Sequence, residues 1–327
     1  MRKYLLSTST LAGAALLSSA AVADVSISGQ FEWNYDQRDS NIAANDGNLM
    51  GQDSALQITF TNKTDSGLTI TAGQHFDTNS AGQDDVFMSI AGGFGTIKLG
   101  KTDGANGTYE SNALGLVQEE EGGKLSSTSS NTATIQTSTG GGGGNNQQVT
   151  YHLPAMGGLT AGVSVGTGTI AKDNEYTAFG LKYAMTAGDA AVTLGYSTKT
   201  VETATTADTD NTSMGVNIAM GALSFTISAG TKTAVDEDIS TQSAGVSYDL
   251  GNGLVVAAAS VKSEDDDDAG EEYDMTTYEA AYTIASGLSA VLNVSDFDYE
   301  NGTDVDSGKS YVDINGTTTS LTIKATF

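Results

Sequence analysis

Cysteine is absent from this 327-residue chain, which rules out disulfides, thiolate metal ligands and thiol nucleophiles. Proline occurs once, at Pro154. Its scarcity suits long paired strands, because proline cannot donate to a hydrogen-bond ladder. Histidine occurs twice, at His75 and His152. Neither sits in a readable Ser-His-Asp or Ser-His-Asn context, and no histidine-rich metal motif accompanies them. Basic residues are few: 14 Lys and Arg stand against 40 Asp and Glu, a formal net charge of −26. Nucleic acid needs a basic face, so it is excluded as a partner. Past the N-terminal stretch, no run approaches the roughly 20 apolar residues of a spanning helix. The best is Leu254–Ala259. Any membrane role must therefore be carried by strands. Acidic chains poor in aromatics are often disordered, but 9 Phe, 13 Tyr and 1 Trp, together with the alternation described below, argue for a fold.

The N-terminus reads as an export signal. Arg2 and Lys3 form a basic start, Leu5–Ala21 is apolar and small, and Ala21-Val22-Ala23 is a small-x-small cleavage site. The pattern predicts a signal peptide over 1–23 and a mature chain over 24–327 that begins at Asp24. Loss of Arg2 and Lys3 makes the formal charge two units more negative.

The dominant signal has period two. In Asp24–Asp36, Val25, Ile27, Phe31, Trp33 and Tyr35 share one face, and Ser26, Ser28, Gln30, Glu32 and Asn34 the other. Leu56/Ile58/Phe60, Leu159/Ala161/Val163/Val165, Leu223/Phe225/Ile227 and Leu321/Ile323/Ala325/Phe327 repeat the pattern. Alternation gives every strand one apolar face. Seven short Gly-rich connections (Thr64–Gly67, Gly92–Gly95, Ala155–Gly158, Thr186–Asp189, Met220–Ala222, Asp249–Gly253, Ala285–Gly287) alternate with eight longer polar stretches, among them Gln37–Gly51, Thr102–Gln147, Thr233–Ile239 and Ser263–Glu272. Fifteen connections join sixteen strands. This predicts an all-β fold, a transmembrane antiparallel β-barrel with short periplasmic turns and long external loops. An even count closes the barrel without an edge. A soluble sandwich would also alternate, but its loops would not sort by length onto two ends. Near Val294–Asp296 the apolar phase slips, so that Phe297 and Tyr299 face the other way, which suggests a bulge or a displaced boundary.

Two segments carry a family likeness. Gly93–Ala105 reads GFGTIKLGKTDGA, and Gln148–Thr160 reads QVTYHLPAMGGLT; the chain ends on a strand at Phe327. Together these resemble the Gram-negative general porins, in particular the alphaproteobacterial branch. The resemblance implies a homotrimeric water-filled channel in the outer membrane for small hydrophilic solutes and ions. It further implies a third external loop, here Thr102–Gln147, that folds inward to constrict the pore, with acidic loop residues facing a basic wall. It makes the terminal aromatic, Phe327, the signal read by the barrel-assembly machinery. The middle of the loop, Ser126–Gly144, is low-complexity and matches no loop-tip motif.

The candidate site residues follow from these readings. Asp103, Glu110, Glu119, Glu120 and Glu121 form the negative rim if the loop enters the pore, and a solvated charge run if it does not. Alternation turns Lys98, Lys182, Lys199, Glu32, Glu279, His75 and His152 inward, since a lipid-facing lysine at the bilayer midplane costs about 2–4 kcal/mol. The acidic run Glu264-Asp265-Asp266-Asp267-Asp268 is dense enough to attract calcium or magnesium, although it lacks the spacing of a dedicated cage. A repelling external surface, bridged by such ions to outer-membrane lipids and lipopolysaccharide, is the plainer reading. No organic cofactor is implied: Gly140–Gly144 lacks the Lys-Ser/Thr of a phosphate loop. Three alternatives stay open: a substrate-preferring channel, a surface adhesin or S-layer β-protein, and a barrel lipase. The last would need an exposed Ser-His pair. The charge surplus predicts a cation-preferring channel.

Overall fold

The computed structural model describes residues 23–41, 46–77, 83–117, 146–167, 175–202, 208–235, 237–267, 271–301 and 313–327. Sixteen strands run in order: β1 (Asp24–Ser40), β2 (Gly47–Lys63), β3 (Thr69–Asp77), β4 (Gln83–Gly92), β5 (Gly95–Thr102), β6 (Asn146–His152), β7 (Leu159–Thr167) and β8 (Glu175–Ala187). They continue with β9 (Ala190–Glu202), β10 (Thr209–Met220), β11 (Leu223–Ala234), β12 (Glu237–Gly251), β13 (Leu254–Asp265), β14 (Glu271–Ala285), β15 (Leu288–Asn301) and β16 (Ile314–Thr326). Each pairs antiparallel with its sequence neighbours, and β1 pairs with β16 to close the barrel. Phe327 N donates to Gly29 O at 2.9 Å and Gly29 N to Phe327 O at 3.1 Å, which seals the seam at its lower end. Closure satisfies the backbone without water, the condition for a strand in hydrocarbon. The seven expected short turns all fall at one end of the barrel. Gly221, at φ 57°, makes one of them, in a left-handed conformation that side chains other than glycine rarely adopt.

Near the short turns the outward face is apolar on every side: Ile27 and Phe31 on β1, Leu194 on β9, Phe225 and Ile227 on β11, Tyr248 on β12, Tyr278 on β14 and Leu321 on β16 are all exposed. This is the lipid belt that the alternation predicts. The strands outrun it. β1 and β2 have 17 residues each, and β12 and β14 have 15, against the roughly 9–11 that cross a bilayer. Three expected loops are accordingly shorter than their polar sequences suggested. The Gln37–Gly51 stretch is strand up to Ser40 and again from Gly47, Thr233–Ile239 up to Ala234 and from Glu237, and Ser263–Glu272 up to Asp265 and from Glu271. Polarity marks where the membrane ends; the ladder continues because pairing does not require an apolar face.

The phase slip at Val294–Asp296 has a different cause from the expected bulge. The registers of β15 with β14 and β16 run unbroken from Ser289 to Tyr299, and the β14–β15 irregularity lies lower, between Thr283 and Ala285. Asn293, Ser295, Phe297 and Tyr299 all face inward, while Leu292, Asp296, Asp298 and Glu300 face out. The strand does not flip. Its surroundings do: above the lipid belt the outside is aqueous and the inside holds protein. There Phe297 and Tyr299 join Tyr273, Met275, Val261, Ala259 and Ile314 in a buried apolar cluster inside the barrel.

Candidate functional site: the lumen and its inward loop

Chain leaving β5 turns into the barrel rather than away from it. Asp103 and Gly104 lead into a short helix, α1 (Ala105–Tyr109), followed by a 3₁₀ turn, Ala113–Leu116. Inner-wall side chains hold α1. Ala105 N donates to Ser164 Oγ at 2.7 Å, the Tyr176 hydroxyl donates to Asn106 Oδ1 at 2.6 Å, and Lys182 Nζ donates to Thr108 O at 3.1 Å. The Tyr109 hydroxyl lies 3.0 Å from His152 Nδ1, and burial pushes the Tyr109 phenol up from its ordinary pKa.

The 3₁₀ turn is set by Asn112, whose side chain accepts from Leu114 N at 3.0 Å. Ala113 N donates to Ser243 Oγ at 3.3 Å. Leu114, only 1% exposed, and Val117 insert into the apolar cluster. Each is worth about 1.5–3 kcal/mol of burial. The described part of the loop thus crosses the inner wall from β6 to β13, held at one end by hydrogen bonds and at the other by apolar contact.

Charge divides accordingly. Of the lysines read from the sequence as wall residues, Lys182 and Lys199 lie on strands that the loop covers, and Lys98 lies on β5, from which the loop departs. Besides the Lys182 bond to the loop, Lys199 Nζ stands 5.5 Å from the Tyr176 ring centroid and Lys98 Nζ 4.5 Å from that of Phe87. Carboxylates occupy the wall of β1–β3. Glu32, Asp36, Asp53 and Asp77 share the lumenal face through the β1–β2 and β2–β3 registers. Lys324 lies 3.4 Å from Glu32, and Arg38 lies 3.7 Å from Asp36, which also accepts from Ser320 at 2.6 Å. His75 and Glu279 are buried on the same inner face.

Of the expected rim, Asp103 is half-buried at the loop root, and Glu110 is buried at the end of α1 with its backbone N–H on Asn106 O at 2.9 Å. Glu119, Glu120 and Glu121 lie outside the described residues, as does Asp268. The acidic run on β13 is not a row of like neighbours. Asp265 is buried on the inner face, where one carboxylate oxygen accepts from Asp238 N at 3.1 Å and from Asp267 N at 3.0 Å; Asp266 and Asp267 follow the strand end. Among the described residues, no three His, Cys, Asp or Glu side chains are grouped to hold a metal ion. Phe327 is 65% exposed beside the seam.

Sequence reasoning missed two groups. Asp36, Asp53 and Asp77 were within reach of the alternation, since Asp36 keeps the parity of Glu32. The aromatic seat of the loop left only the phase slip as its trace.

The sequence matches the Gram-negative porin family over residues 8–302. No curated protein matches it. Solved structures share the fold at low identity. The anion-selective porin from Comamonas acidovorans superposes with a TM-score of 0.66 at 16% identity, over 94% of this chain and 100% of that one. OmpT of Vibrio cholerae in its trimer form gives 0.65 at 14%, over 93% and 99%. The outer-membrane channel DcaP of Acinetobacter baumannii gives 0.65 at 14%, over 95% and 99%.

Proposed function

The chain belongs to the Gram-negative porin family; from that premise we propose that it acts as an outer-membrane channel rather than an enzyme, through which small hydrophilic solutes and ions diffuse passively, with cations preferred. The observation that carries the preference is the division of lumenal charge. Lys182 and Lys199 lie on the wall that the loop covers, with Lys98 beside it on β5, whereas on the wall beyond the loop's main contacts Glu32, Asp36, Asp53 and Asp77 outnumber the paired Lys324 and Arg38. Carboxylates around a pore favour cations, and a low-dielectric mouth of one sign concentrates counter-ions. The barrel itself is neutral on the point, since the Comamonas acidovorans porin is anion-selective. Selectivity has to be read from the side chains.

The working unit is a homotrimer, a proposal supported by family membership and by the trimer form of the OmpT neighbour. The alphaproteobacterial affiliation rests on the segments Gly93–Ala105 and Gln148–Thr160. Planar-bilayer recording tests the channel reading. Zero-current potentials across a potassium chloride gradient should have the cation-selective sign in dilute salt and shrink in concentrated salt, as exposed charges are screened beyond about 8–10 Å. An anion-selective sign overturns the charge argument. Changing Glu119, Glu120 and Glu121 to Gln should reduce the preference if that part of the loop is the constriction; an unchanged potential places the filter elsewhere.

A further inference from the structure

Glycine in the middle of a strand weakens it, and usually marks a bend or the close approach of something else. Two cross-strand pairs of inward glycines lie where the loop crosses the wall: Gly162 with Gly180 on β7–β8, and Gly195 with Gly215 on β9–β10. None of the four has positive φ, so no backbone conformation demands glycine there. Space does. A Cβ at Gly180 would sit 2.7 Å from Tyr109 Cβ and 2.8 Å from Ala105 O. One at Gly215 would sit 2.8 Å from both Ser111 Cβ and Ser111 O. One at Gly195 would overlap Ser111 Oγ and lie 3.0 Å from Tyr109 O. All but the Tyr109 O distance are below those that real Cβ atoms adopt, and several of the opposing atoms are loop backbone, which cannot rotate away. By contrast, a Cβ at Gly93 or Gly115 meets nothing within 4 Å.

We infer that Gly180, Gly195 and Gly215 are specificity-determining positions of the channel: by lacking Cβ atoms they form the groove in which the inward loop beds, and so set how much of the lumen the loop leaves open. This rests on the reading of the chain as an open channel. Each added methyl lifts α1 and Ser111 off the wall toward the lumen axis, narrows the passage and lowers the size limit for solutes. The hydrogen bonds from Ala105 N to Ser164 and from Lys182 to Thr108 O fix the loop laterally; the glycines fix its depth.

The cysteine-free chain permits a direct test. A nitroxide on Gly115→Cys, at an exposed point of the 3₁₀ turn, reports loop mobility, and single-channel recording of the unlabelled proteins reports the bore. Gly195→Ala and Gly215→Ala should each lower the conductance below the parent's, as expected when pore radius limits flow, and should loosen the label. Gly93→Ala should change neither readout. Adding Ser111→Gly to Gly195→Ala removes the side chain that the new methyl overlaps, leaving only the milder contact with Tyr109 O, and should restore most of both readouts, which a general weakening of β9 would not allow. Should the wall variants fail to assemble, Ser111→Val crowds the same groove from the loop side without altering a strand, and the same losses are expected. Unchanged conductance and label mobility in assembled Gly195→Ala and Gly215→Ala, or in Ser111→Val, overturn the inference. A parent with no conductance but a label that loosens in these variants would sink the channel reading and leave the groove standing.

Discussion

Leu114→Ala isolates the loop's apolar anchor from the barrel that carries it. Leu114 is 1% exposed and packs among Val261, Tyr273, Met275, Phe297, Tyr299 and Ile314. Truncating a buried leucine costs about 2–5 kcal/mol, the larger values where the site cannot collapse. Here the surroundings are strand residues held in register by ladders on both sides, so collapse is limited and about 3 kcal/mol is a reasonable centre. None of the sixteen ladders includes Leu114, so the loss falls on docking of the 3₁₀ turn and not on the barrel. At 1.4 kcal/mol per factor of ten, about 3 kcal/mol raises the undocked population more than a hundredfold. Val117 and the Ala113 bond to Ser243 remain as weaker holds. The assay is single-channel recording beside thermal unfolding of the same preparation. Open-channel noise and excursions to other conductance levels should rise sharply while the unfolding temperature stays put. Leu114→Met, a nearly volume-conserving change, should stay close to the parent, since such swaps usually cost under about 1.5 kcal/mol. A quiet Leu114→Ala channel with parental conductance would refute the apolar anchor; a quiet channel with a lowered unfolding temperature would assign Leu114 to barrel stability instead.

Three further outcomes are expected. N-terminal sequencing of the outer-membrane fraction should begin at Asp24, and a sequence that reads through Ala23 would disprove cleavage there. The protein should migrate as a trimer that survives mild SDS and dissociates on heating; a monomeric mass in mild detergent counts against this. Deleting Phe327 should lower the yield of assembled protein rather than the conductance of what assembles. It also removes the two backbone bonds to Gly29 at the seam, so Phe327→Ala, which keeps them, separates the aromatic signal from closure: normal yield of that variant would dismiss the ring as the signal.

Period-two alternation and the sorting of connections by length determined the barrel, its sixteen strands and its short-turn end. Both are local properties of the chain: a strand shows one face to lipid, and a hairpin needs few residues only where strands meet directly. The same alternation placed Glu32, Lys98, Lys182 and His75 on the inner face. What those side chains do there was not legible. Lys182 bonds a loop carbonyl because the loop from Asp103 onward lies against its wall, and no spacing in the sequence reports which wall a loop will choose; Lys98 lies over Phe87 of the neighbouring strand. Polar stretches made the loops too long at Ser40, Gly47 and Asp265, since composition records the edge of the hydrocarbon and not the end of hydrogen bonding. Phe297 and Tyr299 looked out of phase for a related reason. Alternation states which residues share a face, whereas the tertiary structure decides what each face meets, and above the membrane the apolar face belongs inside.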